Sequence, residues 1–167
     1  MNHPVIKIVV KNFGTMTAEL YPEMAPLTVA NFVKLAKEDF FAGLIFHRVI
    51  KGFMLQGGGY NAEMEHKECD AIRGEFRANG CMQNTLKHER GVLSMARTSD
   101  PDSASSQFFI MHANAPHLDA QYAGFGKLTD GFDVLDQIAT TKTGRYGYFS
   151  DVPRSPIVIE KVEIIEE

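Results

Sequence analysis

The chain has 167 residues, 44% of them apolar, which fits one domain with a sizeable core and is too short for two comfortable ones. Seventeen Lys and Arg against 21 Asp and Glu leave a net charge of −4, which argues against a nucleic-acid surface or a polybasic membrane patch, since both need clustered positive charge. A charged fraction of 23% beside 12 Phe excludes disorder as the main state.

Val5 to Val10 is apolar, broken only by Lys7, and lacks the basic region and cleavage site of a leader; a strand is expected there. Asn12-Phe13-Gly14 is a turn, and Thr15 to Leu20 returns as a second strand, so the chain opens on a hairpin. From Pro26 the period changes. Val29, Phe32, Val33 and Ala36 recur at i, i+3, i+4 and i+7, the apolar stripe of an amphipathic helix. Pro26 suits its first turn, where the missing N–H is harmless. Leu44 to Ile50 and Phe53 to Gln56 read as strands joined at Lys51-Gly52, with Gly57-Gly58-Gly59 stopping the second. Residues 60–86 are polar and weakly periodic, with charge crowded at Glu63, Glu65, Lys67 and Glu68. A loop this long in a small domain is usually functional or structured in a way that periodicity does not show.

Gly91 to Arg97 and Gln107 to His112 are strands separated by a loop, Thr98 to Ser103. Gly124 to Leu128 is a short strand. Phe132, Leu135 and Ile138 then mark a short helix that Asp130 could cap. Residues 140–156 read as loop, and Ile157 to Ile165 as a closing strand that pairs with the first. Many strands with two separated helices suggest an antiparallel barrel whose open ends the helices cover. No apolar stretch approaches the roughly 18 residues of a membrane helix. Cys69 and Cys81 have no CxxC or zinc-ligand spacing, and no HExxH is present. Free thiols and a cytoplasmic location are the expectation, with no metal site.

Alternation locates the chemistry. On Gln107 to Met111, Phe108 and Ile110 share one face, while Gln107, Phe109 and Met111 share the other. Met54 and Gln56 repeat the mixture, with Phe53, Leu55 and Gly57 opposite unless the preceding Gly52 turns Phe53. Arg48 places a guanidinium in an otherwise apolar strand. Taken singly, these are ordinary surface or core residues. Taken together, an apolar and amide face with one Arg has the makeup of a ligand groove. The glycine triplet lacks the Gly-Lys-Ser/Thr of a phosphate loop, and no nucleophile elbow supports a Ser-His-Asp triad.

The residues also stand in a recognisable order. Phe46-His47-Arg48-Val49-Ile50-Lys51-Gly52-Phe53-Met54-Leu55-Gln56-Gly57-Gly58 resembles the signature of the cyclophilin family of peptidyl-prolyl isomerases. Gly91-Val92-Leu93-Ser94-Met95-Ala96-Arg97, Ser105-Ser106-Gln107-Phe108-Phe109-Ile110, Leu118-Asp119 and Phe125-Gly126-Lys127 resemble its later segments. The resemblance runs from about Ile6 to Ile165 and leans to the bacterial cytosolic type. It implies a single domain over residues 1–167, a closed eight-stranded antiparallel β-barrel with two helices. The active groove would lie on the sheet's outer face.

By the same resemblance, Arg48 is the catalytic residue. Phe53, Met54, Phe109 and Leu118 hold the proline ring. Gln56 and Gln107 hold the substrate backbone, to which Ala96 and Arg97 present main-chain groups. His117 and Tyr122 complete the site and depart from the family, which often has Trp or Phe at the first place and His at the second. The charged 63–68 segment replaces a stretch that is often glycine-rich. Weakened affinity for cyclosporin-type inhibitors is the implied consequence. The implied partners are proline-containing polypeptides, with folding assistance as the role, no cofactor, and nothing that demands more than a monomer. The alternative function is a proline-peptide binding module or holdase chaperone with little turnover. A ligand-carrying barrel is disfavoured because large residues such as Phe46 and Phe108 would fill its interior.

Overall fold

The computed structural model describes residues 2–167. The opening hairpin is present as β1 (Val5–Val10) and β2 (Gly14–Leu20), and α1 (Pro26–Lys37) follows. β3 (Arg48–Ile50) is shorter than expected, as are β5 (Val92–Met95) and β6 (Phe108–Met111), while β4 (Met54–Gly57) keeps its expected length one residue further on. β7 (Gly124–Asp130) leads into α2 (Phe132–Ala139). β8 (Thr143–Tyr146) and β9 (Phe149–Pro153) form a separate hairpin, and β10 (Ile159–Glu166) closes the chain. Eight strands form one sheet in the order β10-β1-β2-β7-β5-β6-β4-β3, every pairing antiparallel. The first and last strands pair as expected, with Ile6 opposite Ile164 and Ile8 opposite Val162.

The expected closed barrel is corrected to an open, curled half-barrel. β10 and β3 end the ladder and are not paired with each other. The segment before β3 reaches the residues before β10 through one isolated bridge, Ile45 to Val158. Three main-chain hydrogen bonds accompany it: Gly43 N–H to Ile159 O, Ile159 N–H to Leu44 O, and Phe46 N–H to Ile157 O. A ladder cannot extend from there. Pro156 has no N–H to donate, and the N–H of Ile45 goes to the carbonyl of Tyr60 instead.

The concave interior is filled. Phe32 from α1 packs 4.9 Å from Phe41, 5.2 Å from Phe125 and 5.3 Å from Phe108, centroid to centroid. With Phe46, Leu55, Leu93 and Ile110 these rings make one continuous core, which leaves no room for a carried ligand. Thr28, Val29, Phe32, Leu35 and Ala36 are the buried residues of α1. Leu35 takes the place expected for Val33, which is only partly buried.

Two further expectations are corrected, and the 60–86 segment gains its explanation. Asp130 does not cap α2: its carboxylate accepts from the N–H of Gly131, which occupies the cap position with φ +88°. A Cβ there would stand 2.5 Å from the Thr15 carbonyl, so the close crossing of β2 requires glycine. The 140–156 loop contains the β8–β9 hairpin, whose exposed Arg145 and Tyr146 erase the apolar alternation that would reveal it. The 60–86 segment is organised by buried polar side chains. Glu75 accepts from both the N–H (2.6 Å) and the hydroxyl (2.8 Å) of Thr28, satisfying the first turn of α1 from 47 positions away. Asn84 donates to the carbonyls of Glu75 and Gly124.

Candidate active site

β3, β4 and β6 lie side by side, and register aligns their outward residues. Arg48 stands opposite Gln56, and Gln56 opposite Phe109. Because side chains alternate, Val49, Leu55, Phe108 and Ile110 point into the core while these three point out. Phe53 breaks the alternation. It belongs to the turn before β4 and joins Met54 on the outer face. A second apolar cluster results, built from Met54, Phe109, Met111 and Leu118 with Phe53, Ala96 and Tyr122 at its edge.

A pocket of about 170 Å³ opens on this cluster, lined by Arg48, Phe53, Met54, Gln56, Ala96, Arg97, Phe109, Leu118 and Tyr122. Of the sequence-predicted residues, Gln107 and His117 lie outside its lining. Gln107 instead lines an adjoining depression of about 250 Å³, together with Gln56, His66, Ala96 and Arg97. His117 stacks on Phe53 at 5.9 Å and so supports the pocket wall from outside.

The polar groups form a chain along the rim. Gln56 donates to the Gln107 amide oxygen at 3.0 Å, and Arg48 donates to Gln56 at 3.4 Å. Among the described residues no carboxylate stands within ion-pair distance of Arg48. Its side chain lines the pocket. Gly59 lets Gln107 lie flat, since a Cβ there would come within 2.4 Å of its side chain. The N–H of Ala96 is already bound to the Gln107 carbonyl, so the group Ala96 can present is its own carbonyl. Arg97 contributes more than backbone. Its guanidinium donates twice to the carbonyl of Gln121 and lies 4.7 Å from the rings of both Tyr122 and Phe76. It pins the loop that carries Tyr122, whose ring meets Phe109 edge-on at 5.8 Å.

One group behind the pocket has no signal in the sequence. His88 is buried with its ring stacked 6.0 Å from Phe109. Its Nδ1 lies 3.1 Å from the Asp119 carboxylate and its Nε2 2.8 Å from the Ser94 hydroxyl. Ionised Asp119 can only accept, so Nδ1–H donates to it and Nε2 accepts from Ser94. This has the connectivity of a hydrolytic triad, yet Ser94 is fully buried and cannot reach a substrate. It serves as scaffold under Phe109. Burial holds the His88 imidazole below its ordinary pKa despite the pull of Asp119.

His47, beside Arg48, is also buried, and its Nδ1 has no hydrogen-bond partner among the described residues. Burial, reinforced by the charges of Arg48 and His66, lowers its pKa to about 4. The unfolded chain takes up this proton near the ordinary value of about 6.5. Stability from this group is therefore complete above pH 6.5 and is lost as pH falls towards 4, by up to about 3 kcal/mol. His88 adds a loss of the same sign. His47→Phe should flatten the profile of urea midpoint against pH below 6.5; an unchanged acid slope would assign the loss to other groups.

The profile of the family described as cyclophilin-type peptidyl-prolyl cis-trans isomerase matches residues 5–164. A peptidyl-prolyl cis-trans isomerase of Acinetobacter baylyi is 46% identical over 92% of this chain and 81% of its own length. Peptidyl-prolyl cis-trans isomerase B of Escherichia coli is 40% identical over 93% of this chain and 96% of its own. Among solved structures, a cyclophilin-type isomerase of Cryptosporidium parvum superposes with a TM-score of 0.83 at 29% identity, covering 99% of both chains. The same protein solved in the presence of the dipeptide Ala-Pro gives 0.80 at 30% identity, over 98% of this chain and 99% of that one.

Proposed function

Since the chain belongs to the cyclophilin-type peptidyl-prolyl cis-trans isomerase family and is an isomerase of X–Pro bonds, we propose that its outer-face pocket receives the proline ring and that Arg48 is the catalytic donor. Rotation about the amide C–N bond breaks resonance and faces a barrier of about 18–20 kcal/mol. As the bond twists, the prolyl nitrogen pyramidalises and regains its lone pair. A guanidinium N–H aimed at that nitrogen binds the twisted state and not the planar one, which is differential binding. One charge-assisted hydrogen bond contributes about 1.5–3 kcal/mol. The remainder comes from gripping the ring on Phe53, Met54, Phe109 and Leu118 while Gln56 and Gln107 hold the flanking backbone and the carbonyl side turns. Desolvation in the apolar pocket also disfavours the dipolar planar amide.

The observation that carries this reading is the state of Arg48, half-exposed at the pocket, with one long hydrogen bond and no counterion among the described residues. A proline-peptide binding module or holdase would need the pocket and the amides but no donor at the ring nitrogen. The substrates are proline-containing polypeptides, and the role is assistance of folding. The related isomerase solved with Ala-Pro supports the first. Free Cys69 and Cys81 support placing the reaction in the reducing cytoplasm. With an imidazole at His117, cyclosporin-type inhibitors bind more weakly than where an indole offers more apolar area and an N–H.

Titration of the isotope-labelled chain with an Ala-Pro peptide tests the placement. Amide shift changes should centre on β3, β4, β6 and the 118–122 loop. Changes centred instead on the groove between Pro22 and Val33 of α1, about 550 Å³ in volume, would remove the pocket from the reaction.

A further inference from the structure

The turn that carries Phe53 is held from one side chiefly by His112, with a longer bond of 3.4 Å from the N–H of Ala113 to the Phe53 carbonyl. Lys51 and Gly52 are exposed, and Gly52 has φ +78°, so the turn has little stiffness of its own. His112, the residue following β6, takes it at two adjacent points. Its main-chain N–H donates to the Phe53 carbonyl at 2.9 Å, and its ring Nδ1 accepts from the Gly52 N–H at 2.8 Å. The second bond fixes the tautomer. Nδ1 carries no hydrogen, so Nε2 carries it and donates to the Asp136 carboxylate of α2 at 3.0 Å. Arg90 locks that carboxylate in a two-pronged pair at 2.7 and 3.0 Å and donates to the His112 carbonyl at 3.1 Å.

We infer that His112 is a positioning residue for the isomerase pocket, holding Phe53 in place through the Gly52 N–H only while its imidazole is neutral. The inference rests on the proposed role of that pocket. An imidazolium has two donors and no acceptor. On protonation, Nδ1–H would face the Gly52 N–H and the turn would be released, carrying Phe53 away from the proline ring. The charged groups facing the ring are Asp136, which favours the proton, and Arg90 across that carboxylate, which opposes it. The Arg90 guanidinium holds the Asp136 carboxyl below the usual carboxylate range, so that carboxylate stays an acceptor for Nε2–H. The effect falls on substrate binding more than on the chemical step, because His112 touches neither Arg48 nor the reacting bond.

The test is kcat and KM for an Ala-Pro peptide by exchange spectroscopy between about pH 7.5 and about pH 5.5, the range in which imidazoles titrate, for the wild type, His112→Asn and His112→Ala. The loss of one neutral hydrogen bond predicts a wild-type KM that rises about threefold to tenfold on acidification, with kcat little changed. His112→Asn puts an amide oxygen near the place of Nδ1 and takes up no proton, so its KM should stay flat. His112→Ala should show the raised KM already at the higher pH. A wild-type KM that does not rise, or an acid rise that persists in His112→Asn, would overturn the inference. Absence of turnover at the higher pH would instead overturn the isomerase reading, which separates the two failures. If the Ala variant does not fold, the Asn variant decides alone.

Discussion

Replacing Arg48 by Ala should reduce kcat/KM for an X–Pro peptide by about ten- to a hundredfold, the loss of one charge-assisted hydrogen bond made in the twisted state, while the thermal midpoint stays within a degree or two. The two halves have separate causes. Arg48 is outward on β3, has no ion pair among the described residues and makes one 3.4 Å bond to Gln56, so little folding energy depends on it. Its neighbour Val49 carries the packing. Arg48→Lys should recover little of the loss, since an ammonium lacks the fixed planar fork of donors. Isomerase kinetics and thermal unfolding on the same preparations check both halves. Near-normal turnover in a folded Arg48→Ala protein would refute the donor role.

Phe108 and Phe109 are adjacent, chemically identical and both buried, yet they should fail differently. Phe108 is fully enclosed and meets Phe32, Phe41 and Phe46 edge-on in the main core. Its truncation to Ala should cost about 3–5 kcal/mol by urea denaturation, the usual range for a core Phe. Phe109 lies in the outer cluster between His88, Tyr122 and the pocket. With one side facing the pocket it leaves a smaller closed cavity, so Phe109→Ala should cost less stability and at least about tenfold in turnover through loss of the pocket floor. If Phe109→Ala were the more destabilising of the two, the assignment of the two faces of β6 would be inverted.

The parts that were legible from residues alone depend on local periodicity. Period two separated Phe108 from Phe109 and Leu55 from Gln56, and helical spacing found α1. Resemblance then supplied roles that no spacing could, such as that of Arg48. What stayed hidden depends on long-range contacts. Alternation puts Phe53 opposite Met54 with a turn at Gly52 as the open exception, and only the fold decides for the turn, which swings Phe53 onto the same face. Glu75 reads as one more charge in a polar stretch, and only the fold carries it 47 positions to Thr28. The His88 chain and the His112 clamp each join segments that share no motif. Barrel closure does not follow from strand periodicity, in which an edge is invisible, whereas Pro156 and the Tyr60 carbonyl decide that the ladder stops.

Turnover of X–Pro bonds at this pocket and mere holding of them are told apart by one experiment. The most direct measurement is exchange spectroscopy on an Ala-Pro peptide with a substoichiometric amount of the wild-type chain. Uncatalysed exchange takes tens to hundreds of seconds and is silent on that timescale. The account predicts cis and trans cross-peaks that appear on addition of the protein, with an exchange rate proportional to its concentration and strongly reduced by Arg48→Ala. Peptide resonances that broaden or shift on binding, with no cis–trans cross-peaks at any protein concentration, would contradict it and leave a proline-binding module.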